Sequence, residues 1–125
     1  MILGFTKRPL QTGMTALAIQ GSIHCGPECA RLEREVDGMI AAGETLVIFD
    51  LAGVTHADSA AIGSIVRCLT KLKSSGGALR IAAPQAMIEY SLKLTKVDQL
   101  IEIFPTVEQA MKRFGEPEAS TGQPG

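Results

Sequence analysis

Ser59 is the side chain most suited to chemistry. It follows Asp58, precedes the small residues Ala60 and Ala61, and opens an apolar helical pattern. A hydroxyl at a helix start can cap free backbone N–H groups. The same place tolerates a phosphate, because the dipole end there is positive. The local pattern by itself favours the cap, supplied by Asp58 or Ser59 and worth about 1 kcal/mol. The two roles can coexist, since the geometry that suits a cap also suits a phosphate. Asp50 ends an apolar run, and a carboxylate there is expected to accept hydrogen bonds from loop N–H groups. No base or nucleophile stands at a spacing that would make it catalytic. His24, Cys25, Cys29, His56 and Cys68 bring metal-binding residue types, and Cys25 and Cys29 are four positions apart. They form neither a C-x-x-C pair nor an H-E-x-x-H helix, and Cys68 falls in an apolar helical stretch. Free cysteine is usually a small core residue, so neither a metal nor another cofactor is expected.

These groups need elements to hold them. Leu46 to Leu51 reads as a buried central strand, followed by a loop from Gly53 to Ser59 and a helix. That helix carries Ile62, Ile65, Val66, Leu69 and Leu72 on one stripe and ends at Ser74-Ser75-Gly76-Gly77. The latter stretch runs from helix to strand and lacks a following lysine, so it is a turn and not a phosphate loop. Arg67, Lys71 and Lys73 make a mild basic face that solvation explains. Before the central strand, Ile2 to Phe5 reads as a short edge strand broken by Lys7-Arg8-Pro9, and Thr15 to Gln20 as a half-buried strand. Gly21 to Gly26 is an expected loop. Pro27 opens a helix with Leu32, Val36, Met39 and Ile40 on one face and Gly43 at its end.

After the turn, Ala78 to Ala82 reads as a strand and Gln85 to Leu94 as a helix. Met87, Leu92 and Leu94 of that helix are expected in the core. Leu100 to Phe104 is a last strand, and Thr106 caps a final helix with Val107, Ala110, Met111 and Phe114 inward. Residues 115–125 have no apolar side chain large enough to pack and are expected to be a disordered tail. The order of strands and helices predicts an α/β fold, a small, mixed, mostly parallel sheet of 4–5 strands flanked by about four helices. Functional groups gather at the carboxyl ends of strands in such sheets. The Gly21 to Gly26 and Gly53 to Ser59 loops should lie there as neighbours, with His24 near His56.

Bulk properties narrow the function classes. The chain has 125 residues, 46% of them hydrophobic and only 4% aromatic, with no Trp. That suits one domain with an aliphatic core. A net charge of −1 offers no basic excess for a nucleic-acid backbone. No apolar run approaches the roughly 20 residues needed to cross a bilayer, and MILGFTKRPL lacks the features of a signal peptide. A cytoplasmic protein with reduced thiols is the expectation; an odd count of three cysteines agrees with it.

The strand-loop VIFDLAGVTHADSAAIG, the stretch SSGGALRIAAP and the segment LTKVDQLIEIFPTVEQAM, in this order, resemble the STAS domain of bacterial anti-sigma factor antagonists. The resemblance covers roughly Met14 to Phe114 and implies one STAS domain over residues 1–114. It also implies that Ser59, after Asp58, is a phosphorylation site for a serine kinase that doubles as the anti-sigma factor. The unphosphorylated form binds that partner; phosphorylation ends the binding. A partner surface of His24, Cys25, Thr55, His56, Asp58, Ser59, Ala61 and Ile62 follows, and partners docking near α-helical Met87, Leu92 and Leu94 would leave some of these three partly exposed. Two positions differ from the family pattern. Ala61 stands where glycine is usual, which is expected to bring a methyl group close to the hydroxyl. Ile23-His24-Cys25 stands where the family has an apolar residue followed by Asp.

The expected function is therefore a non-enzymatic interaction module that regulates transcription indirectly. Two alternatives remain: a STAS subunit of a lipid-transport ABC complex, and a small-ligand module using His24 and His56. The oligomeric state is left open by the sequence, and an edge strand near the N-terminus would permit a homodimer.

Overall fold

The protein was analysed as a computed structural model that describes residues 3–24 and 26–114. Cys25, the expected tail at 115–125 and the expected strand start at Ile2 lie outside the described residues. Five strands form one sheet in the order β1-β2-β3-β4-β5. They are β1 (Gly4–Gln11), β2 (Met14–Ile23), β3 (Leu46–Ala57), β4 (Ala78–Ala82) and β5 (Ile103–Phe104). β1 is antiparallel to β2, and every other neighbouring pair is parallel. The helices are α1 (Pro27–Ala41), α2 (Ser59–Ser74), α3 (Ala86–Leu94) and α4 (Val107–Phe114). This is the mixed, mostly parallel α/β sheet that the sequence predicts.

Alternation along the strands sorts the core into two layers. Val47, Phe49 and Leu51 of β3 point to one face, with Leu17 and Ile19 of β2 and Leu79 and Ile81 of β4. Against them pack Leu32, Val36 and Met39 of α1, Ile62, Ile65 and Leu72 of α2, and Ile88 and Leu92 of α3. Ala16, Ile48 and Ala82 point to the other face and meet Val107 and Ala110 of α4. Both faces of β3 are thus covered, which is why its sequence is continuously apolar and not alternating. Each fully buried large side chain is worth about 1.5–3 kcal/mol of transfer free energy.

Helix ends follow local chemistry. Gly43 takes φ 83 after α1, with its N–H on the Ile40 carbonyl at 3.0 Å and the Glu44 N–H on the Met39 carbonyl at 2.8 Å. This is a Schellman closure, which the glycine makes inexpensive. The Thr106 hydroxyl accepts from the Gln109 N–H at 3.1 Å and caps α4 as expected.

Four expectations need correction. Lys7-Arg8-Pro9 does not break β1, which pairs with β2 from Gly4 to Gln11 with a register shift between Pro9 and Gln11. β1 is an edge strand, so proline costs it no central ladder bond. The same exposed Lys7, Arg8 and Pro9 discourage a second chain from adding to that edge. The expected Gly21 to Gly26 and Gly53 to Ser59 loops are largely strand, because β2 and β3 continue to pair through Ile23 and Ala57. The last strand is only Ile103–Phe104; a 3-10 turn at Val97–Gln99 precedes it and buries Val97 and Ile101 instead. Met87 and Leu94 are not core residues: they are 73% and 69% exposed, whereas Leu92 is fully buried.

Candidate functional site

The site lies where β2 and β3 end and α2 begins. The extended pairing sets Ser22 opposite His56 and Ile23 opposite Ala57, after register shifts at Ala18/Gln20 and Gly21/Ser22. Gly53 sits within this irregular stretch. A Cβ there would stand 2.9 Å from Gln20 Cγ and 3.3 Å from the Ile19 carbonyl oxygen. Its role is therefore close approach at a bulge, not the turn its type announces. The Asp58 N–H donates to the Ile23 carbonyl at 3.3 Å and carries the pairing to the foot of α2.

The structure decides between the two capping candidates. Asp58 is the N-cap, with extended backbone at φ −83, ψ 178, and its Oδ1 accepts from the Ala61 N–H at 2.9 Å. Ser59 is the first helical residue, and it is exposed. Among the described residues nothing hydrogen-bonds its hydroxyl. Helix geometry at this terminus leaves backbone N–H groups unpaired beside an outward-facing oxygen.

Around Ser59 stand the other expected residues. His24 Nδ1 is 4.0 Å from Asp58 Oδ2, an open pair with both side chains substantially exposed. His56 Nδ1 lies 3.2 Å from Thr55 Oγ1, and Thr55 Oγ1 is 3.4 Å from both Ser22 Oγ and the Gly21 carbonyl. The ends of β2 and β3 thus bring His24 and His56 to one rim, as the topology requires. A cleft of 150 Å³ between this rim and α3 is lined by Thr55, His56, Ala57, Met87, Ile88 and Ser91. Asp50 is separate: its Oδ1 accepts from the Ala52 N–H at 3.1 Å, the structural part expected of it.

Two proposed contact residues are misplaced by the sequence reading. Ala61 is fully buried and Ile62 is 4% exposed, both inside the main core. Helical geometry turns these positions inward while Ser59 faces solvent. The Ala61 methyl therefore packs under the helix and does not crowd the hydroxyl, contrary to expectation.

A support layer beneath the site escaped the sequence reading. Ser64, fully buried, donates to Glu33 Oε2 at 2.8 Å, and its oxygen lies 3.4 Å from the Cys29 carbonyl. Arg67 Nε also donates to Glu33 Oε2, at 2.9 Å, and Lys71 pairs with Asp37 at 3.1 Å. These contacts fasten α2 to α1. Burial pushes the Glu33 carboxyl up, but hydrogen bonds from Ser64 and Arg67 and the charges of Arg67 and Lys71 outweigh it. The net position is below the usual value. The available signal was Ser64 interrupting an apolar stripe, facing acidic residues four apart on α1.

The thiols belong to this packing. Cys29 is buried and directs Sγ at the His24 carbonyl, 3.4 Å, and the Ala60 carbonyl, 3.8 Å. Cys68 is buried, and desolvation, with the Glu33 charge nearby, pushes its thiol up to about 12. Among the described residues no three of His, Cys, Asp and Glu converge as a metal site would require. No helix among them is long and apolar enough to cross a membrane.

Comparison with known proteins bears on the fold and the family. A 76-residue stretch is 32% identical to a Thermotoga maritima protein provisionally named an anti-sigma factor antagonist, spanning 61% of this chain and 67% of that one. A crystal structure of an anti-sigma factor antagonist from Thermotoga maritima, likewise provisionally named, superposes with a TM-score of 0.82 at 23% identity, covering 90% of this chain and 95% of that one. SpoIIAA superposes in its unphosphorylated form with a TM-score of 0.76, covering 92% of this chain and all of that one. Its phosphorylated form from Bacillus gives 0.68, covering 89% and 99%; identity is 14% in both cases. At such identities the structural likeness establishes the fold. Residues 8–110 match the model of the STAS domain, and the chain belongs to the STAS domain family.

Proposed function

We propose that this protein is an anti-sigma factor antagonist whose partner binding is ended by phosphorylation of Ser59. The observation that carries the reading is the division of labour at α2. Asp58 does the capping, so the exposed Ser59 hydroxyl is free to react without unmaking the helix. Antagonists of known structure in both phosphorylation states share the fold and support the same assignment. The partner is an anti-sigma factor with serine kinase activity. Ser59 Oγ attacks the γ-phosphorus of ATP bound to that partner, its proton passes to a base on the kinase, and ADP leaves.

The rim of His24, Thr55, His56, Asp58 and Ser59 forms the contact, together with Cys25, which lies outside the described residues, and Ala61 and Ile62 hold the helix from below. Phosphorylation adds roughly −1.5 to −2 charges beside Asp58. The helix N-terminus accommodates that charge within the free protein. An interface would have to desolvate it next to a second carboxylate, which is costly. The switch thus acts at the interface and needs no refolding. Incubation with the candidate kinase and ATP, followed by mass spectrometry of the peptide carrying Ser59, tests the site. Calorimetry with the purified partner tests the switch: Ser59→Asp weakens binding and Ser59→Ala keeps it. Equal affinity for the two variants refutes the proposal.

A further inference from the structure

The adjacent parallel strands β4 and β5 send the chain to opposite faces of the sheet. After β4, α3 sets Ile88 and Leu92 into the main core with Leu79 and Ile81. After β5, α4 sets Val107 and Ala110 against Ala16, Ile48 and Ala82 on the other face. α1 and α2, which follow β2 and β3, share the face of α3. Where two neighbouring connections part in this way, a crevice opens beyond the carboxyl ends of the strands. Open α/β sheets bind small ligands at such a point. A cleft of about 510 Å³ stands there. It is lined by Ala83 and Pro84 after β4, Ile103 and Phe104 of β5, Pro105 after it, and Glu89 of α3. Small-molecule sites span roughly 300–1,000 Å³, so the volume suits one.

The walls are held in shape by the chain itself. Pro84 and Pro105 fix the backbone on the two sides. Ala83 takes φ 56, a left-handed conformation unusual for a residue with a side chain. Its N–H donates to the Phe104 carbonyl at 2.8 Å and ties the two walls together. Strain of this kind persists only where the surroundings impose it, and it gathers at ligand sites.

We infer that this cleft binds a small organic cation, an amine or guanidine carried on an apolar body. The chemistry of the lining selects that class. Pro84, Ile103, Phe104 and Pro105 offer apolar surface to the body. Among the described residues that line the cleft, Glu89 alone is charged. Its side chain is 41% exposed, within reach of an entering ligand. A cation there gains a charge-assisted hydrogen bond, whereas an anion is repelled. Lys93, one turn along α3, holds Glu89 at 3.4 Å, but exposed pairs at this spacing are weak. A ligand cation displaces the lysine, which returns to water. One charge in an open cleft sets dissociation constants of roughly 0.1–10 mM. The site stands past β4 and β5, whereas Ser59 follows β3, so it does not depend on the phosphorylation reading.

Amide chemical shifts of the isotope-labelled full chain, titrated with each probe to about 10 mM, test the assignment. The probes share one body: phenethylammonium, phenethyl alcohol and phenylacetate. Phenethylammonium should shift the amides of Ala83, Glu89, Ile103 and Phe104; the alcohol should do so more weakly, and phenylacetate not at all. Glu89→Gln should leave the circular dichroism spectrum unchanged, raise the Kd for phenethylammonium at least about fivefold and abolish its advantage over the alcohol. Lys93→Ala, which frees the carboxylate, should lower that Kd about twofold, a gain that a folding defect cannot imitate. No shift at these amides with phenethylammonium overturns the inference, as does equal binding of phenylacetate. So does a Glu89→Gln chain that keeps the preference for the cation, or a Lys93→Ala chain that binds it no more tightly.

Discussion

Removing the Asp58 carboxylate isolates the contact that separates scaffold from switch. Asp58→Ala deletes the acceptor of the 2.9 Å bond from the Ala61 N–H and leaves that donor without a side-chain partner at the head of α2. Losses of N-cap side chains of this kind cost about 1 kcal/mol, within a range of about 0.5–2. The pair with His24 adds little, since its 4.0 Å spacing and exposed partners place it among weak surface contacts. For a chain of this length about 1 kcal/mol corresponds to a fall in Tm of roughly 4 °C. Ser59→Ala removes an exposed hydroxyl that caps nothing, and its effect should stay within about 0.5 kcal/mol. Asp58→Asn keeps an acceptor and should recover most of the loss. Urea unfolding followed by circular dichroism, with scanning calorimetry beside it, measures all three. The assignment fails if Ser59→Ala costs as much as Asp58→Ala, because Ser59 would then be the cap and not a free hydroxyl.

Three further outcomes follow from the layer below the site. Glu33 has a folded-state value below its unfolded one, so its contribution to stability is present above the usual 4.5 and is lost as pH falls through the lower folded value. The stability difference between wild type and Glu33→Gln should accordingly shrink on acidification below about pH 4.5, read from urea midpoints across an acid series. A difference that widens there contradicts the Glu33–Ser64–Arg67 geometry. Ala61→Gly, which installs the residue usual in the family, should destabilise by about 1 kcal/mol through helix propensity and leave the rate of Ser59 phosphorylation unchanged. A faster reaction would mean that the Ala61 methyl does crowd the hydroxyl. Cys68, buried and shifted to about 12, should stay unreacted with a thiol reagent in the native protein and react on unfolding.

The sequence by itself determined the elements whose signals are local. The apolar run around Phe49, the stripe from Ile62 to Leu72, Gly43 after α1 and Thr106 before α4 each act through neighbours a few residues away. All of them kept their meaning in the fold. The order of those elements also determined the parallel sheet and brought His24 and His56 to one end of it. Tertiary structure decided what depends on partners distant in the chain. β2 and β3 continue to pair beyond the expected turns, so Gly53 serves a bulge against Gln20, not a loop. Pro9 persists in β1 because only one side of that strand is paired. Met87 and Leu94 share the apolar character of Leu92, yet the direction of α3 against the sheet sends only Leu92 inward. The same cause settles the start of α2. Asp58, Ser59 and Ala61 are consecutive or nearly so, and composition cannot rank them. The angle at which β3 delivers the chain to the helix makes Asp58 the cap, buries Ala61 and leaves Ser59 facing solvent.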